Sequence, residues 1–190
     1  MKTAFLHSFA LAATLGLGIP AGASAAQYTS LDAEASTVTF GYSQMNVKMD
    51  GRFGQLKSTE LSFDPAKPEA AKVAIEVAMA SVDAGYAAAN SELKKNEWLA
   101  LDAHPLATFT SDKVEALGDG RYQVTGDLSI KGVTKTVAAP FTFKEDGDAG
   151  VFEGGFTFQR ADFGVGDGQW KDFSIVANDI QITFRVVAQP

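Results

Sequence analysis

The sequence predicts an all-β protein, an eight-stranded antiparallel up-and-down barrel with a short helical insertion around residues 84–99. Apolar and polar residues alternate with period two through most of the chain, as in strands that bury one face. Short glycine-containing turns separate consecutive runs, which favours hairpins between neighbours in the sequence. About eight such runs in roughly 165 residues fit a closed barrel, because closure leaves no unpaired edge strand.

The predicted strands follow one another in chain order, and each carries its apolar residues at alternate positions. The apolar faces comprise Val38, Phe40 and Tyr42; Val73, Ile75, Val77 and Met79; Tyr122, Val124, Leu128 and Ile130; Val137, Ala139, Phe141 and Phe143; Phe152, Phe156 and Phe158; and Ile180, Ile182, Phe184 and Val186. Turns are expected at residues 117–120, 131–133 and 145–150, where glycine accompanies aspartate or lysine.

The segment 84–99 interrupts this alternation. It is rich in alanine, lysine, glutamate and asparagine, and Tyr86, Ala89 and Leu93 have helical spacing. We expect one helix or two short ones between strands, with Asp83 as a candidate N-cap because its carboxylate can accept a backbone N–H bond.

The N-terminal residues have the pattern of a secretory signal peptide. Lys2 precedes an apolar run at residues 9–19, and small residues follow Pro20. The run is shorter than the roughly 20 residues of a membrane-spanning helix. We expect residues 1–25 to be removed, with cleavage after Ala25 or Ala26. Residues 26–190 would then form a single exported, soluble, periplasmic domain with no integral membrane segment.

The composition excludes several classes of function. The chain has 190 residues, 46% of them hydrophobic and 21% charged, as in globular proteins. The absence of cysteine excludes disulfides, cysteine zinc sites and thiol catalysis. A net charge of −7 argues against nucleic-acid binding, which requires a basic face for phosphates.

Residues suited to catalysis or metal binding are scarce. After the signal segment His104 is the single histidine, there is no G-x-S-x-G motif, and the carboxylates lack the spacing of metal ligands. We therefore assign no catalytic residue, no metal and no cofactor, although the residues alone do not exclude a base such as His104 or a pair of carboxylates.

Phenylalanine is the abundant aromatic residue, with 14 Phe against four Tyr and two Trp. Many of these lie on the predicted inward faces. An eight-stranded barrel is just wide enough either to be filled by side chains or to hold one small ligand, so the residues alone leave a filled core and an apolar cavity both open. The candidate head-group contacts are Arg52 and Arg160, which are equally typical of ordinary surface cations.

The candidate ligand-binding residues are those expected to line an apolar cavity. They are Phe40, Phe63, Ile75, Val77, Phe109, Val124, Leu128, Phe141, Phe143, Phe156, Phe158 and Phe184.

Several short blocks also point to a family. The most specific are Gly126-Asp-Leu-Ser-Ile-Lys-Gly-Val-Thr-Lys135 and Arg160-Ala-Asp-Phe-Gly164. The others are Val38–Phe40, Gly51–Gly54, Leu61–Asp64, Val73–Val77, Ser81–Asp83 and His104–Ser111. On these blocks the chain resembles the YceI-like proteins, also described as polyisoprenoid-binding periplasmic proteins, from about Tyr28 to the C terminus.

The resemblance implies a lipocalin-like antiparallel barrel that binds a long isoprenoid, an isoprenoid quinone or a similar amphiphile without catalysis. The chain departs from the family pattern in the helical insertion. Where many members carry arginine-aspartate-x-histidine-leucine, this chain has Ala89-Asn-Ser-Glu-Leu93, and the following aspartate-phenylalanine pair is replaced within Glu97-Trp98-Leu99. Thr136 stands where a proline is usual.

Three functions follow as hypotheses. The leading one is a periplasmic carrier, monomeric or homodimeric, whose barrel sequesters a polyisoprenoid, an isoprenoid quinone or another lipid, with no nucleic acid among its partners. The second is a stress-related interaction module with a filled barrel. The third is a hydrolase or isomerase that acts on an amphiphile, with His104 or an interior carboxylate as the base.

Overall fold

A ten-stranded antiparallel sheet curls around an apolar interior in the computed structural model, which describes residues 27–190. The predicted signal peptide lies outside the described residues. The strands are β1 (Ser30–Gln44), β2 (Val47–Phe53), β3 (Leu56–Ser62), β4 (Lys72–Ala78), β5 (Val82–Asp83), β6 (Leu106–Gly118), β7 (Arg121–Ile130), β8 (Val133–Asp146), β9 (Ala149–Gln159) and β10 (Asp179–Gln189). One helix, α1, spans Ala87–Leu93.

The antiparallel ladder returns to its starting strand. Strands β6 to β10 pair in succession, β10 pairs with β1, and β1 pairs with β2. Strand β2 then pairs with β5, while β3, which continues β2 after a short break, pairs with β4. Because β4 pairs with β6, the sheet curls into a barrel. The predicted antiparallel barrel is confirmed.

The number of strands is ten rather than the predicted eight, because two long strands are each interrupted. The break between β2 and β3 lies at Gly54 and Gln55, and a 3-10 turn at Met79–Ser81 separates β4 from β5. The Ser81 hydroxyl explains both interruptions. It accepts the backbone N–H groups of Gly54 and Gln55, each at 3.1 Å, and donates to the carbonyl oxygen of Ala78 at 2.6 Å.

The first part of β1 leaves a gap in the wall. A bulge between Asp32 and Thr37 shifts the register against β10, and Ser36 stabilises it by donating to the Asp32 carbonyl oxygen and accepting the Val187 N–H. Opposite this stretch, β3 is not paired with β1. The two are joined by the bridge between Tyr28 and Phe63 and by a hydrogen bond of 2.8 Å from Gln27 Nε2 to Ser62 Oγ. A groove of about 320 Å³ therefore lies between β1 and β3.

Tight hairpins join the neighbouring strands, as the glycine-containing turns predict. Met45 and Asn46 link β1 to β2, and Lys131 and Gly132 link β7 to β8, all with positive φ. Such left-handed two-residue turns match the right-handed twist of the strands they connect.

The helical insertion is confirmed, although only seven of its residues are α-helical. The expected cap by Asp83 is wrong, because the residue at the N-cap position is Tyr86, which makes no side-chain cap bond. The Asp83 carboxylate instead accepts the backbone N–H of Gly85 and the side-chain amide of Asn90. These bonds, together with Asn90 accepting the Ala84 N–H at 2.6 Å, fix the turn that leads into α1.

The two ends of the barrel differ. We use "upper end" for the end formed by residues 44–47, 79–106, 130–133 and 160–178, which includes α1, and "lower end" for the opposite end. At the lower end six aromatic rings pack with centroid separations of 4.9–6.4 Å. They belong to Tyr28, Phe63, Tyr122, Phe141, Phe143 and Phe152, which we term the aromatic cluster. Such edge-on and offset pairs add about 0.5–1.5 kcal/mol each beyond burial, so this end is tightly filled.

A substitution of Gly126 would test how closely the backbones of β6 and β7 approach each other. A Cβ at this position would overlap the carbonyl oxygen of Thr110 and lie 2.8 Å from Ser111 Cα, both of them backbone atoms that cannot move aside alone. We expect Gly126→Ala to lower the free energy of unfolding by about 2 kcal/mol, as overpacking does, measured by urea denaturation. Gly54→Ala is the control, since its Cβ would have no neighbour nearer than 3.8 Å. Equal stability of the two variants would contradict this.

Candidate functional site

The principal cavity of the described chain lies inside the barrel, between the aromatic cluster and the upper end. Its volume is about 500 Å³, within the range of 300–1,000 Å³ typical of small-molecule sites. Its wall consists of the inward-facing residues of the strands together with α1 and the segment 160–176. Side chains therefore fill the lower end of the interior, and the cavity lies nearer the upper end.

The predicted lining residues nearly all face this space. Eleven of the twelve contact the cavity: Phe40, Phe63, Ile75, Val77, Phe109, Val124, Leu128, Phe141, Phe156, Phe158 and Phe184. Phe143 does not: it lies nearer the lower end of β8 than Phe141 does, and its ring packs 5.0 Å from those of Phe63 and Phe152. That these residues bind a ligand stays a prediction.

Sequence reasoning missed the part of the wall contributed by the upper end. Leu93, Trp98, Val165 and Trp170 line the cavity from α1 and from irregular segments, where no period-two alternation marks an inward face. Phe152 also lines it and could have been found, because it lies on the same alternating face as Phe156.

The polar groups of the cavity wall lie at the upper end. Gln44, Tyr86 and Glu92 contribute a carboxamide, a phenol and a carboxylate. The Tyr86 hydroxyl donates to Gln44 Oε1 at 3.0 Å, and Glu92 accepts the indole N–H of Trp170 at 3.2 Å and pairs with Lys95. The cavity thus has an apolar depth and a polar upper rim, which suits an amphiphile.

Arg160 is buried beneath this rim, with 1% of its surface exposed. Its guanidinium donates five hydrogen bonds of 2.6–3.2 Å, all to backbone carbonyl oxygens. The acceptors are Val165, Gly166, Trp170, Val176 and Ala177. Burial lowers the pKa of Arg160 from its ordinary value. Since every donor is occupied, Arg160 could bind a head group only by giving up a bond that holds the segment 160–177 in place.

Trp98 packs against Arg160 from α1's side of the cavity. The guanidinium carbon of Arg160 lies 5.2 Å from the centre of the Trp98 ring. On the same indole, the centres of the Trp98 and Trp170 rings are 5.3 Å apart. Among the described residues, Trp98 Nε1 is the buried side-chain polar atom that has no hydrogen-bond partner. The indole therefore stabilises the upper end by stacking, including a cation–π contact with Arg160.

Arg52, the other predicted head-group residue, lies outside the cavity. Its side chain is 73% exposed and its Nη2 is 3.5 Å from Asp83 Oδ2. The pKa of Asp83 is lowered, first by the hydrogen bond from Asn90, then by that from Gly85, and to a smaller extent by Arg52. Arg52 thus contributes to the outer surface beside the turn that leads into α1.

The groups considered for catalysis do not gather around the cavity. His104 packs against Gly132 at the β7–β8 turn and does not line the cavity. Glu92, the carboxylate on the wall, is engaged by Trp170 and Lys95. Between residues 27 and 190 no cluster of three or more metal-ligating side chains occurs. Over the same residues, no helix has the length and apolarity needed to span a membrane.

Comparison with known proteins identifies relatives over nearly the whole described chain. The family model described as the YceI-like domain matches residues 29–188. A UPF0312 protein of Ectopseudomonas mendocina is 32% identical over 187 residues, covering 93% of this chain and 95% of the relative. The crystal structure of Burkholderia cenocepacia BcnA is similar with a TM-score of 0.81 and 36% identity, covering 84% of this chain and 99% of that one.

A third structure shares the fold at lower identity. It is a polyisoprenoid binding domain from Saccharophagus degradans implicated in plant cell wall breakdown, with a TM-score of 0.67 and 15% identity, covering 86% of this chain and 99% of that one. At that identity the likeness concerns the fold alone.

Replacement of Arg160 tests its role at the upper end. Arg160→Met removes five hydrogen bonds and leaves buried carbonyl groups without donors, so we expect the free energy of unfolding to fall by about 3 kcal/mol or more. Arg160→Lys should lose less, because an ammonium can still donate up to three bonds. Urea denaturation gives these values. Arg121→Met is the control, since Arg121 is exposed and pairs only with Asp119 at 3.7 Å. A loss no greater than that of the control would contradict this role.

Proposed function

The chain belongs to the YceI-like family, and we propose that it binds the apolar tail of a long amphiphile inside the barrel and carries it as an exported, periplasmic protein. The cargo would be a polyisoprenoid, an isoprenoid quinone or another lipid. The observation that carries the proposal is the cavity of about 500 Å³ whose depth is lined by aromatic and aliphatic side chains. An apolar chain in contact with such a wall is removed from water, and this lowers its free energy.

The energetics favour a tail as the principal determinant of affinity. Removing apolar surface from water contributes about 25 cal/mol for each Å², and a flexible chain several isoprene units long can bring several hundred Å² into the cavity. One methylene is worth only about 0.8 kcal/mol. Selectivity among tails is therefore weak, and the polar rim has to distinguish one head group from another.

The arrangement of polar groups gives the cargo an orientation. The aromatic cluster fills the lower end, so the tail would lie with its free end against Phe63 and Phe141. The head group would lie near Gln44, Tyr86 and Glu92 at the upper end. The Saccharophagus degradans domain, which shares this fold, is a polyisoprenoid binding domain, and this supports an isoprenoid cargo.

The other two hypotheses have less support. A filled barrel does not agree with an interior that keeps about 500 Å³ open above the aromatic cluster. A hydrolase or isomerase would need a free base beside the cargo, whereas His104 lies outside the cavity and the Glu92 carboxylate is held by Trp170 and Lys95. We therefore propose binding without catalysis.

The identity of the cargo can be tested directly. The protein is purified without detergent from the compartment to which it is exported, extracted with organic solvent, and the extract is analysed by mass spectrometry. We expect an amphiphile with an isoprenoid or comparably long apolar chain. An extract dominated by a water-soluble metabolite would contradict the proposal.

A charge placed in the cavity should abolish binding. Phe156 lines the cavity, whereas its neighbour Thr157 is exposed on the outer face of β9. We expect Phe156→Asp to weaken binding of farnesol, a short isoprenoid alcohol, at least tenfold, because an unpaired buried carboxylate is costly. Thr157→Asp should bind as the wild type does. Quenching of the fluorescence of Trp98 and Trp170, the two tryptophans of the chain, measures the affinity.

A second variant covers the case in which Phe156→Asp does not fold. Val77→Phe fills cavity volume with an apolar side chain without adding a tryptophan, and it should also weaken farnesol binding, while thermal unfolding confirms that it remains folded. Unchanged farnesol affinity in a folded variant of either kind would show that the ligand does not occupy this cavity.

A further inference from the structure

We infer that the upper end of the barrel docks on the surface of a lipid bilayer, with its exposed apolar side chains inserted among the lipid head groups. This inference rests on the proposed function, because it concerns how the cavity would meet a cargo that resides in membranes. It follows from two features of the described chain: where the exposed apolar residues lie, and which parts of the cavity they surround.

The exposed large apolar residues are distributed very unevenly. Seven such residues are exposed between residues 27 and 190, and six of them lie at the upper end, with 37–67% of their surface exposed. The six are Met45, Val47, Tyr86, Leu106, Val133 and Phe173. Only Leu117, at 52%, lies at the lower end. Single exposed apolar residues need no explanation, but their concentration at one end marks an interaction surface.

These residues surround the polar rim of the cavity. The turn that carries Met45 and Val47 is joined to the segment 172–176 by a hydrogen bond of 2.8 Å from Met45 N to the Ile175 carbonyl oxygen. It is joined to the start of α1 by the bond between Tyr86 and Gln44. Phe173 lies against Arg160, 5.2 Å from its guanidinium carbon. The apolar side chains thus border the same end of the cavity that is proposed to hold the head group.

The shape of this surface suits a bilayer better than a folded partner. The apolar side chains belong to separate turns and strand ends, so each can enter the head-group layer independently. An exposed lysine, Lys94, also belongs to this end. A lysine can bury its aliphatic stem at such a boundary while its ammonium group stays among phosphates.

Charge decides which kind of bilayer the upper end can meet. This end contains five basic residues, one of which, Arg160, is buried. It contains seven carboxylates, which belong to Asp83, Glu92, Glu97, Asp102, Asp162, Asp167 and Asp172. The exposed charge of the upper end is therefore negative, as is the net charge of −7 of the chain. Contact thus has to rest on the apolar side chains, and a zwitterionic bilayer, not an anionic one, is the expected surface.

Docking by the upper end would remove the main barrier to loading. An apolar tail that leaves a bilayer through water exposes its whole surface, and this exposure costs about 25 cal/mol of free energy for each Å². With the upper end seated among head groups, the tail passes from the bilayer into the cavity while little of it meets water. The aromatic cluster at the far end plays no part in this step.

The test compares two variants on vesicles of phosphatidylcholine and phosphatidylethanolamine. Met45→Ser, Val47→Ser and Val133→Ser are combined in one protein, and Leu117→Ser is the control at the lower end. None of these residues lines the cavity. We expect wild type and Leu117→Ser to sediment with the vesicles and the triple variant to bind at least fivefold more weakly. Since apolar insertion is insensitive to screening, 0.5 M salt should leave the wild-type result nearly unchanged.

Farnesol binding in the absence of vesicles separates this inference from the proposed function. The triple variant should bind farnesol as the wild type does. If the wild type fails to bind farnesol, the proposed function fails. If farnesol binding is intact but the wild type does not sediment with vesicles, or the triple variant sediments equally well, only the docking inference is overturned. It is also overturned if the upper end proves to mediate dimerisation in solution, seen as dimers of the wild type that the triple variant does not form.

Discussion

The return of the antiparallel ladder to its first strand is the constraint on which the rest of the structure depends. Once every strand is tilted and paired in a ring, the period-two alternation leaves each residue only two directions, into the barrel or out of it. The aromatic residues at alternate positions therefore converge on one interior. The eight long strands enclose more space than the side chains fill: the aromatic cluster packs the lower end, and a cavity of about 500 Å³ remains above it. Cavity and core are thus two parts of one interior, divided by where the bulky residues occur along each strand.

The alternation made most of this architecture predictable. It placed the strands from Val38 onward, the hairpin turns and eleven of the twelve lining residues, since period two relates an inward face directly to sequence. It could not reveal the breaks at Gly54 and at Ser81, because they depend on one hydroxyl group meeting backbone groups of a strand about 26 residues away. Nor could it reveal that Phe143 does not line the cavity, whereas Phe141, on the same alternating face and in the same aromatic cluster, does. That distinction concerns depth along the barrel axis, on which a period-two pattern carries no information.

The upper end was the least predictable region, and it is built on a different principle. The segment 160–177 has little regular structure, and five of its backbone carbonyl groups accept hydrogen bonds from one side chain, Arg160. In sequence this arginine looked like a surface cation or a head-group contact, because its five acceptors are main-chain atoms that leave no trace in residue identity. The departures of the insertion from the family pattern have a similar explanation. Asn90 and Glu92 hold the start of α1 and Trp170, so the altered residues serve the packing of the upper end itself.

The packed lower end has a kinetic consequence. If cargo enters and leaves the cavity only at the upper end, exchange occurs in strict succession, since a second molecule can enter only after the first has withdrawn along the same path. An occupied barrel would therefore be refractory to new cargo, and the rate of exchange would be set by the dissociation of the resident molecule, whatever the concentration of its competitor. The six rings of the aromatic cluster, by closing the lower end, would therefore determine the order in which cargo molecules leave and enter as well as the depth of the cavity.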